Sequence, residues 1–360
     1  MKPIDLSNMR VIDLSQNWDV NTPSFATYEG PTVKWIKRPA FEKVGGQFIS
    51  STLHVGTHLD APLHFITNGQ DIGSIPLDKL VGPGVVVDLE AMGIGDYEIY
   101  TSEHFEAWER KTGIRIEPGD IVVVHTGYHK HYQSNWYGKC EPNEIRYFNM
   151  HPGPTHEFVD WTLKRQISWF AIDASSMDHP MNTVLRIVRS DLAARCAKKL
   201  GRPLEEIWPE DDLQLMHYQL FPHGVFHVEN AGGMIDEVLD MRLWIGCFPF
   251  KFNMGEAAFC RLVAFVEKKH TCKQGGCCQV DLATTTLFAC MQDIVLCRFR
   301  LVFPLWCQPS EHKITCVEHC QPHDEIYWPR ENTIPHHIAC ECGSSEEISS
   351  KTKNGNSNQQ

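Results

Sequence analysis

The chain of 360 residues carries 33 lysines and arginines against 45 aspartates and glutamates, a formal charge of −12. That balance excludes a general nucleic-acid binder, which needs net positive charge or a concentrated basic face. With 42% hydrophobic and 22% charged residues, the composition is globular rather than disordered, and the length allows one large domain or two ordinary ones. No run of about 18 apolar residues marks a transmembrane helix. Residues 1–17 lack the continuous apolar stretch of a secretory signal. The expectation is a soluble cytoplasmic protein with neither a membrane nor a nucleic-acid partner.

Residues 1–270 read as interspersed strands and helices. The run from Met9 to Leu14 is a short strand, and Gln47 to Val55 is rich in β-formers, so a strand is expected up to His54. Val85 to Leu89 follows a Gly-Pro-Gly turn as a buried strand. Thr101 to Thr112 has helical spacing at Phe105 and Trp108, with Gly113 as its stop. Ile114 to Ile116, the turn at 118–120 and Ile121 to Val124 read as strand, turn, strand. Helices are expected over Glu157 to Arg165, over 190–200 (with Lys198 and Lys199 where cations suit the dipole) and over Asp212 to Leu220. Ser168 to Ile172, Val225 to Val228, Arg242 to Cys247 and Ala258 to Val266 are strand candidates. The class is α/β or α+β, without a repeat architecture.

Fourteen cysteines are unevenly placed: Cys140, Cys196, Cys247 and Cys260 precede residue 270, and ten follow it. Without a signal peptide, a disulfide framework is not the default. The skew divides the chain into 1–268, a domain of interspersed strands and helices, and 269–360, a cysteine-rich, partly disordered tail. The tail's Cys316, His319, Cys320, Cys340 and Cys342 can be drawn as a zinc site, but their spacings are not the usual C-x2-C pairs. The apolar stretch Ile294 to Trp306 carries Arg298 and Arg300 and is no membrane span.

The segment His54-Val-Gly-Thr-His58-Leu-Asp60-Ala-Pro62-Leu-His64 carries the chemistry. Four ligands or proton carriers occur within eleven residues, and Gly56, Thr57 and Pro62 argue against a helix. A turn at Gly56 followed by an extended stretch puts His58 and Asp60 on one face, i and i+2, while glycine lets His54 fold back beside them. Two imidazoles and a carboxylate suit Zn²⁺, Mn²⁺ or Fe²⁺ and leave positions open for water and substrate. Pro62 directs His64 to the same centre, where an imidazole can act as general base on a metal-activated water.

This segment resembles the signature of the metal-dependent hydrolases of the cyclase family. Val11 to Ser15, Gly119 to Gly127, Ala171 to Asp178, Val228 to Gly232 and Gly255 to Ala264 resemble further stretches of that family, so the likeness runs over about residues 10–267. It implies a swivelling β/β/α domain, a barrel-like sheet flanked by helices. It also implies hydrolysis of a C–N amide or lactam bond by a metal-activated water. The activity is most like that of arylformamidase (N-formylkynurenine hydrolysis, in tryptophan catabolism) or isatin hydrolase. A lactone hydrolase or cyclase of secondary metabolism and a catalytically silent metal- and ligand-binding protein are the alternatives. His54, His58 and Asp60 match the family's first metal ligands, and His64 its catalytic or ligating histidine. One or two divalent ions, zinc or manganese, a small-molecule substrate and a homodimer or homotetramer follow from the same resemblance.

In two-metal members a His and a Glu twelve residues apart complete the second site, which maps onto His217 and Glu229. His223 and His227 compete for the place of His217, and His227 with Glu229 can share a face of one strand, so the ion count stays open. Asp173 and Asp178 can orient ligands or cap the following turn. His125 reads as a strand-end packing residue. Trp35, Phe48, Trp136 and Phe148 are candidates for the wall of a pocket for a planar substrate.

Overall fold

The computed structural model describes residues 6–25, 28–132 and 143–268. Chain contacts divide the protein into residues 1–270 and 271–360, and every described residue belongs to the first unit. The tail residues Cys316, His319, Cys320, Cys340 and Cys342, the stretch 294–306, and Trp136 lie outside the described residues.

Twelve strands are present among the described residues. They are β1 (Met9–Asp13), β2 (Thr32–Lys37), β3 (Gly46–Ser50), β4 (His58–Asp60), β5 (Val81–Asp88) and β6 (Ile99–Tyr100), then β7 (Ile121–His125), β8 (Gly153–Pro154), β9 (Trp169–Ile172), β10 (His227–Glu229), β11 (Met241–Pro249) and β12 (Ala257–Glu267). The main sheet runs β1-β12-β11-β5-β7-β9-β10-β4, and β4 also pairs with β12. That extra pairing closes seven strands into a barrel-like ring. The long β12 makes it possible: its first residues, 257–259, face β4, and 263–267 face β1. Strands β5, β7, β9 and β10 are parallel neighbours, and the other pairs of the sheet are antiparallel.

Alternation along the parallel strands divides the core in two. Val85, Val87, Val122, Val124, Phe170 and Ile172 face the helical layer, where they meet Phe105, Trp108, Phe158 and Trp161. Val86, Ile121, Val123, Trp169 and Ala171 turn the other way and pack with Leu59, Val228, Ile245, Ala258 and Leu262. Each fully buried aromatic or aliphatic side chain contributes about 1.5–3 kcal/mol. At Gly84 a Cβ would sit 2.2 Å from the Ile121 carbonyl, so glycine permits the close approach of β5 and β7.

The helices are α1 (Pro39–Glu42), α2 (Leu77–Leu80), α3 (Ser102–Thr112), α4 (Glu144–Asn149), α5 (His156–Arg165), α6 (Leu185–Val188), α7 (Ser190–Leu200), α8 (Leu204–Ile207) and α9 (Leu215–Leu220). The three longest lie where the sequence leads one to expect helices, and α3 and α7 stop at Gly113 and Gly201, both left-handed. Among the described residues no helix is long and apolar enough to cross a membrane.

Several expectations need correction. The strand expected up to His54 ends at Ser50. Residues 51–57 are irregular apart from a bridge between Val55 and Ser24, because the ligand-bearing chain must turn at Gly56, where φ is +70°. Ile114 to Ile116 forms no strand. The helix expected from Asp212 begins at Leu215, since residues 210–212 form a separate 3-10 turn after Pro209. Strands β2 and β3 form a hairpin on which Trp35 and Phe48 are about half exposed, so neither lines the cavity described below.

Candidate metal centre

Strand β4 has β10 on one edge and β12 on the other. The antiparallel register sets His227 opposite Asp60 and Glu229 opposite His58. Directly opposed residues share a face of a sheet, so one three-residue strand pair gathers four candidate ligands. His54 joins them through the turn at Gly56, where a Cβ would lie 2.7 Å from Trp18. The 3-10 turn Pro62–His64 brings His64, and α9 brings His217.

Asp60 is the hub and is fully buried. Its Oδ1 lies 3.1 Å from His54 Nδ1 and 3.2 Å from His58 Nε2. Its Oδ2 lies 3.5 Å from His217 Nε2 and 3.6 Å from His227 Nε2. Glu229 stands 3.6 Å from His227 Nε2 and 3.8 Å from both His58 Nε2 and His217 Nε2. The candidate ligand atoms fall into two groups sharing Asp60: His54, Asp60 and His64, and Asp60, His217, His227 and Glu229.

The outer nitrogens explain this arrangement. His54 Nε2–H donates to Glu256 Oε2 at 2.7 Å. His58 Nδ1–H donates to the Gly56 carbonyl at 2.8 Å. His217 Nδ1–H donates to Asp178 Oδ2 at 2.5 Å, while Asp178 Oδ1 accepts from the Met216 amide. Each ring thus has one nitrogen held by an outer acceptor and turns the other toward Asp60, where it can offer a lone pair once deprotonated, the pattern that orients metal-ligating histidines. Both oxygens of Asp60 are buried without a hydrogen-bond partner, a costly state unless something else binds them. Ligands 2.0–2.1 Å from a tetrahedral ion stand about 3.3 Å apart, close to the spacings around Asp60. The donor set and its geometry therefore fit one or two divalent ions.

Electrostatics point the same way. Burial pulls the His54 pKa down, but Asp60 and Glu256 outweigh it and lift it to about 11. Burial likewise opposes the proton on His217, yet Asp178 and Asp60 raise its pKa to about 10. Burial would raise Asp60, but the surrounding imidazoles hold it well below its ordinary value. His227 is lowered by burial and by His217. The carboxylates demand positive charge, which protons on His54 and His217 supply in the protein alone.

The centre lies in the wall of a cavity of roughly 340 Å³, which is also lined by Phe25, Tyr28, Phe65, Phe148 and Tyr218. Polar groups at its edge include Ser175, Ser176, Thr183, Gln214 and Asn230. Of the proposed wall aromatics, Phe148 lines it; its edge meets Phe25 at a centroid distance of 6.3 Å. Phe65 packs on the His217 ring at 4.4 Å.

The structure brings His54, His58, Asp60, His64, His217 and Glu229 together and adds His227, whereas His223 is exposed. Asp178 orients His217, one of the two roles open to it. Glu256 is the residue that sequence reasoning missed. It bridges His54 and His64, receiving His64 Nδ1–H at 2.9 Å. Burial would raise its pKa, but these two donors bring it down to about 2. The available signal was its place immediately before β12, whose Ala257 lies opposite Asp60.

Comparison with known proteins finds similar sequences and folds. The model of the family described as putative cyclase matches residues 12–179. That span holds His54, His58, Asp60, His64 and Asp178. A kynurenine formamidase of Bacillus mycoides (strain KBAB4) is 26% identical over 242 residues, covering 63% of this chain and 86% of its own. One from Bacillus thuringiensis subsp. konkukian (strain 97-27) is 25% identical over 245 residues, with 66% and 84% covered. Isatin hydrolase A from Ralstonia solanacearum shares the fold, with a TM-score of 0.57 at 22% identity over 72% of this chain and 93% of its own. The resemblance read from the His/Asp motif is thereby borne out.

Proposed function

We propose, starting from the chain's match to the cyclase family, that the protein is a metal-dependent hydrolase that opens a C–N bond of a small aryl amide or lactam. N-formylkynurenine and isatin are the reference substrates. The observation that carries this reading is the convergence of three tautomer-fixed imidazoles on the unpartnered carboxylate of Asp60, beside a cavity with aromatic walls. His54, His58 and Asp60 would hold one ion, and Asp60, His217, His227 and Glu229 a second. Zinc and manganese are the metals we favour for this donor set. When bound, a divalent metal supplies a Lewis acid and makes water acidic enough to attack near neutral pH.

The protein's own groups account for the rest. His64 is one of four imidazoles lining the cavity and the one left outside the two ion sets above; with its Nδ1–H held by Glu256, its Nε2 would take a proton from water and return it to the leaving nitrogen. Phe25, Tyr28, Phe65 and Phe148 would sandwich a planar substrate and exclude water from the reacting carbonyl. Hydrolysis of N-formylkynurenine, isatin and simple lactones by the chelated and the reloaded enzyme tests the reading. Metal-restored turnover of the first two and not of the lactones is the expected result. Preferred lactone turnover would move the protein to a different reaction class. We also propose, from the same family resemblance, that the protein is a homodimer or homotetramer; light scattering on the parent should report a mass of two or four chains, and a monomer would contradict it.

A further inference from the structure

The carboxyl-terminal ends of β5, β7 and β9 hold a second gathering of imidazoles and carboxylates that the proposed chemistry does not use. His125 ends β7 and is buried, and the register sets it beside Asp88 at the end of β5. Its Nδ1–H donates to Asp88 Oδ1 at 2.8 Å. His129 follows in the 3-10 turn Tyr128–His131 and donates its Nδ1–H to Asp173 Oδ2 at 2.8 Å. Asp173 is itself fixed by the Thr126 and Gly127 amides and the Thr126 hydroxyl. Both imidazoles therefore have an outer nitrogen locked by a buried or half-buried carboxylate, as in the metal centre above.

Their inner nitrogens meet a third carboxylate. His125 Nε2 stands 3.5 Å from Asp236 Oδ1, and His129 Nε2 stands 3.5 Å from Asp236 Oδ2. Glu90 Oε2 lies 3.9 Å from His125 Nε2 on a second side, where it also pairs with Lys130. One further fact points to a ligand: His125 Nε2 is buried and has no hydrogen-bond partner. A buried ring nitrogen is left so only at a cost, unless a group from outside the protein satisfies it. The ligand atoms of His125, His129 and Asp236 all lie within 4.8 Å of one another.

We propose that His125, His129 and Asp236 form a second divalent-cation site, distinct from the Asp60 centre, that takes an ion of the zinc class. Two imidazoles and a carboxylate suit such a borderline metal, whereas calcium and magnesium prefer all-oxygen shells. The carboxylates of Asp88, Glu90, Asp173 and Asp236 favour a dication. The 3.5 Å spacings lie close to the tetrahedral edge of about 3.3 Å, and Asp236, whose side chain is 58% exposed, has room to close the difference. The ion would tie the turn after β7 to the 3-10 turn Ile235–Glu237 and needs no substrate cavity to do so.

The test uses the full chain, stripped with chelator, reloaded with Zn²⁺, desalted and analysed for zinc per chain. Asp236→Ala and His129→Gln are each expected to hold one equivalent fewer than the parent, with hydrolase turnover unchanged in Asp236→Ala. Equal zinc content in folded variants and parent overturns the proposal. Anomalous diffraction at the zinc edge from parent crystals gives an answer even where a variant fails to fold. A peak between His125, His129 and Asp236 supports the site, and zinc at other positions only overturns it. Because the count is a difference, it stays readable even if the catalytic reading fails.

Discussion

The protein holds two nests of imidazoles and carboxylates built on the same plan, and their surroundings differ. In both, outer nitrogens are fixed by acceptors while inner nitrogens converge on an aspartate. The Asp60 nest lies at a cavity with aromatic walls and has an extra imidazole, His64, held by Glu256. The His125 nest opens toward solvent past Asp236 and Glu90, whose side chains are 58% and 45% exposed. We assign the same ligand chemistry two uses. What makes the first nest suited to catalysis is the room above it and a spare proton carrier within reach, not its ligand types.

Substitutions can break this contrast in graded steps. The largest effect is expected from Asp60→Asn, which removes the carboxylate shared by both ion positions. Turnover should fall to background and zinc at that nest should be lost, while zinc at the His125 nest remains. Elemental analysis beside an activity assay checks this, and an Asp60→Asn enzyme that still turns over would remove the hub from the account. Next is His64→Ala, for which kcat should drop by about 10²–10⁴ with zinc content retained. An unchanged rate would show that His64 moves no proton. Smaller again are Asp178→Asn and Glu256→Gln, each expected to cost about 10–100-fold in metal affinity or activity. If either matches the parent in both, the fixed tautomers do not matter.

The smallest effect is a pH dependence of opposite sign in the stripped and loaded forms. The pKa of His54 is raised to about 11 and that of His217 to about 10. Their ion pairs with Asp60, Asp178 and Glu256 therefore stabilise the metal-free fold fully below about pH 6.5, the unfolded imidazole value. That contribution is lost as pH rises toward 10–11. Metal ligation needs the deprotonated rings, so stabilisation by zinc grows over the same range. Melting temperatures measured from pH 6.5 to 10 should diverge, falling for the stripped protein relative to the loaded one. Parallel curves would mean that His54 and His217 carry no proton that the metal displaces.

Much of the Asp60 nest was legible in the sequence because its ligands are local. A glycine turn and a period-two strand put His54, His58 and Asp60 together without tertiary information. His217 and Glu229 required the family resemblance, and the choice among His217, His223 and His227 was not local at all. The β4–β10 register brings His227, and α9 brings His217, to 3.6 and 3.8 Å from Glu229, while His223 stays exposed. Glu256 escaped because its partners are about 200 residues away in sequence (|i−j| = 202 for His54). His125 looked like a packing residue because three valines precede it. The orphaned Nε2 appears only when the ends of β5 and β9 are brought alongside.

Metal-dependent C–N bond hydrolysis is the activity we assign to the Asp60 nest. Its most direct test is a single titration: add Zn²⁺ or Mn²⁺ to chelator-stripped protein while following hydrolysis of N-formylkynurenine and isatin. Turnover absent without metal and restored at one or two equivalents is the predicted result. Turnover that survives complete metal removal would contradict it, as would a fully loaded protein that hydrolyses neither substrate.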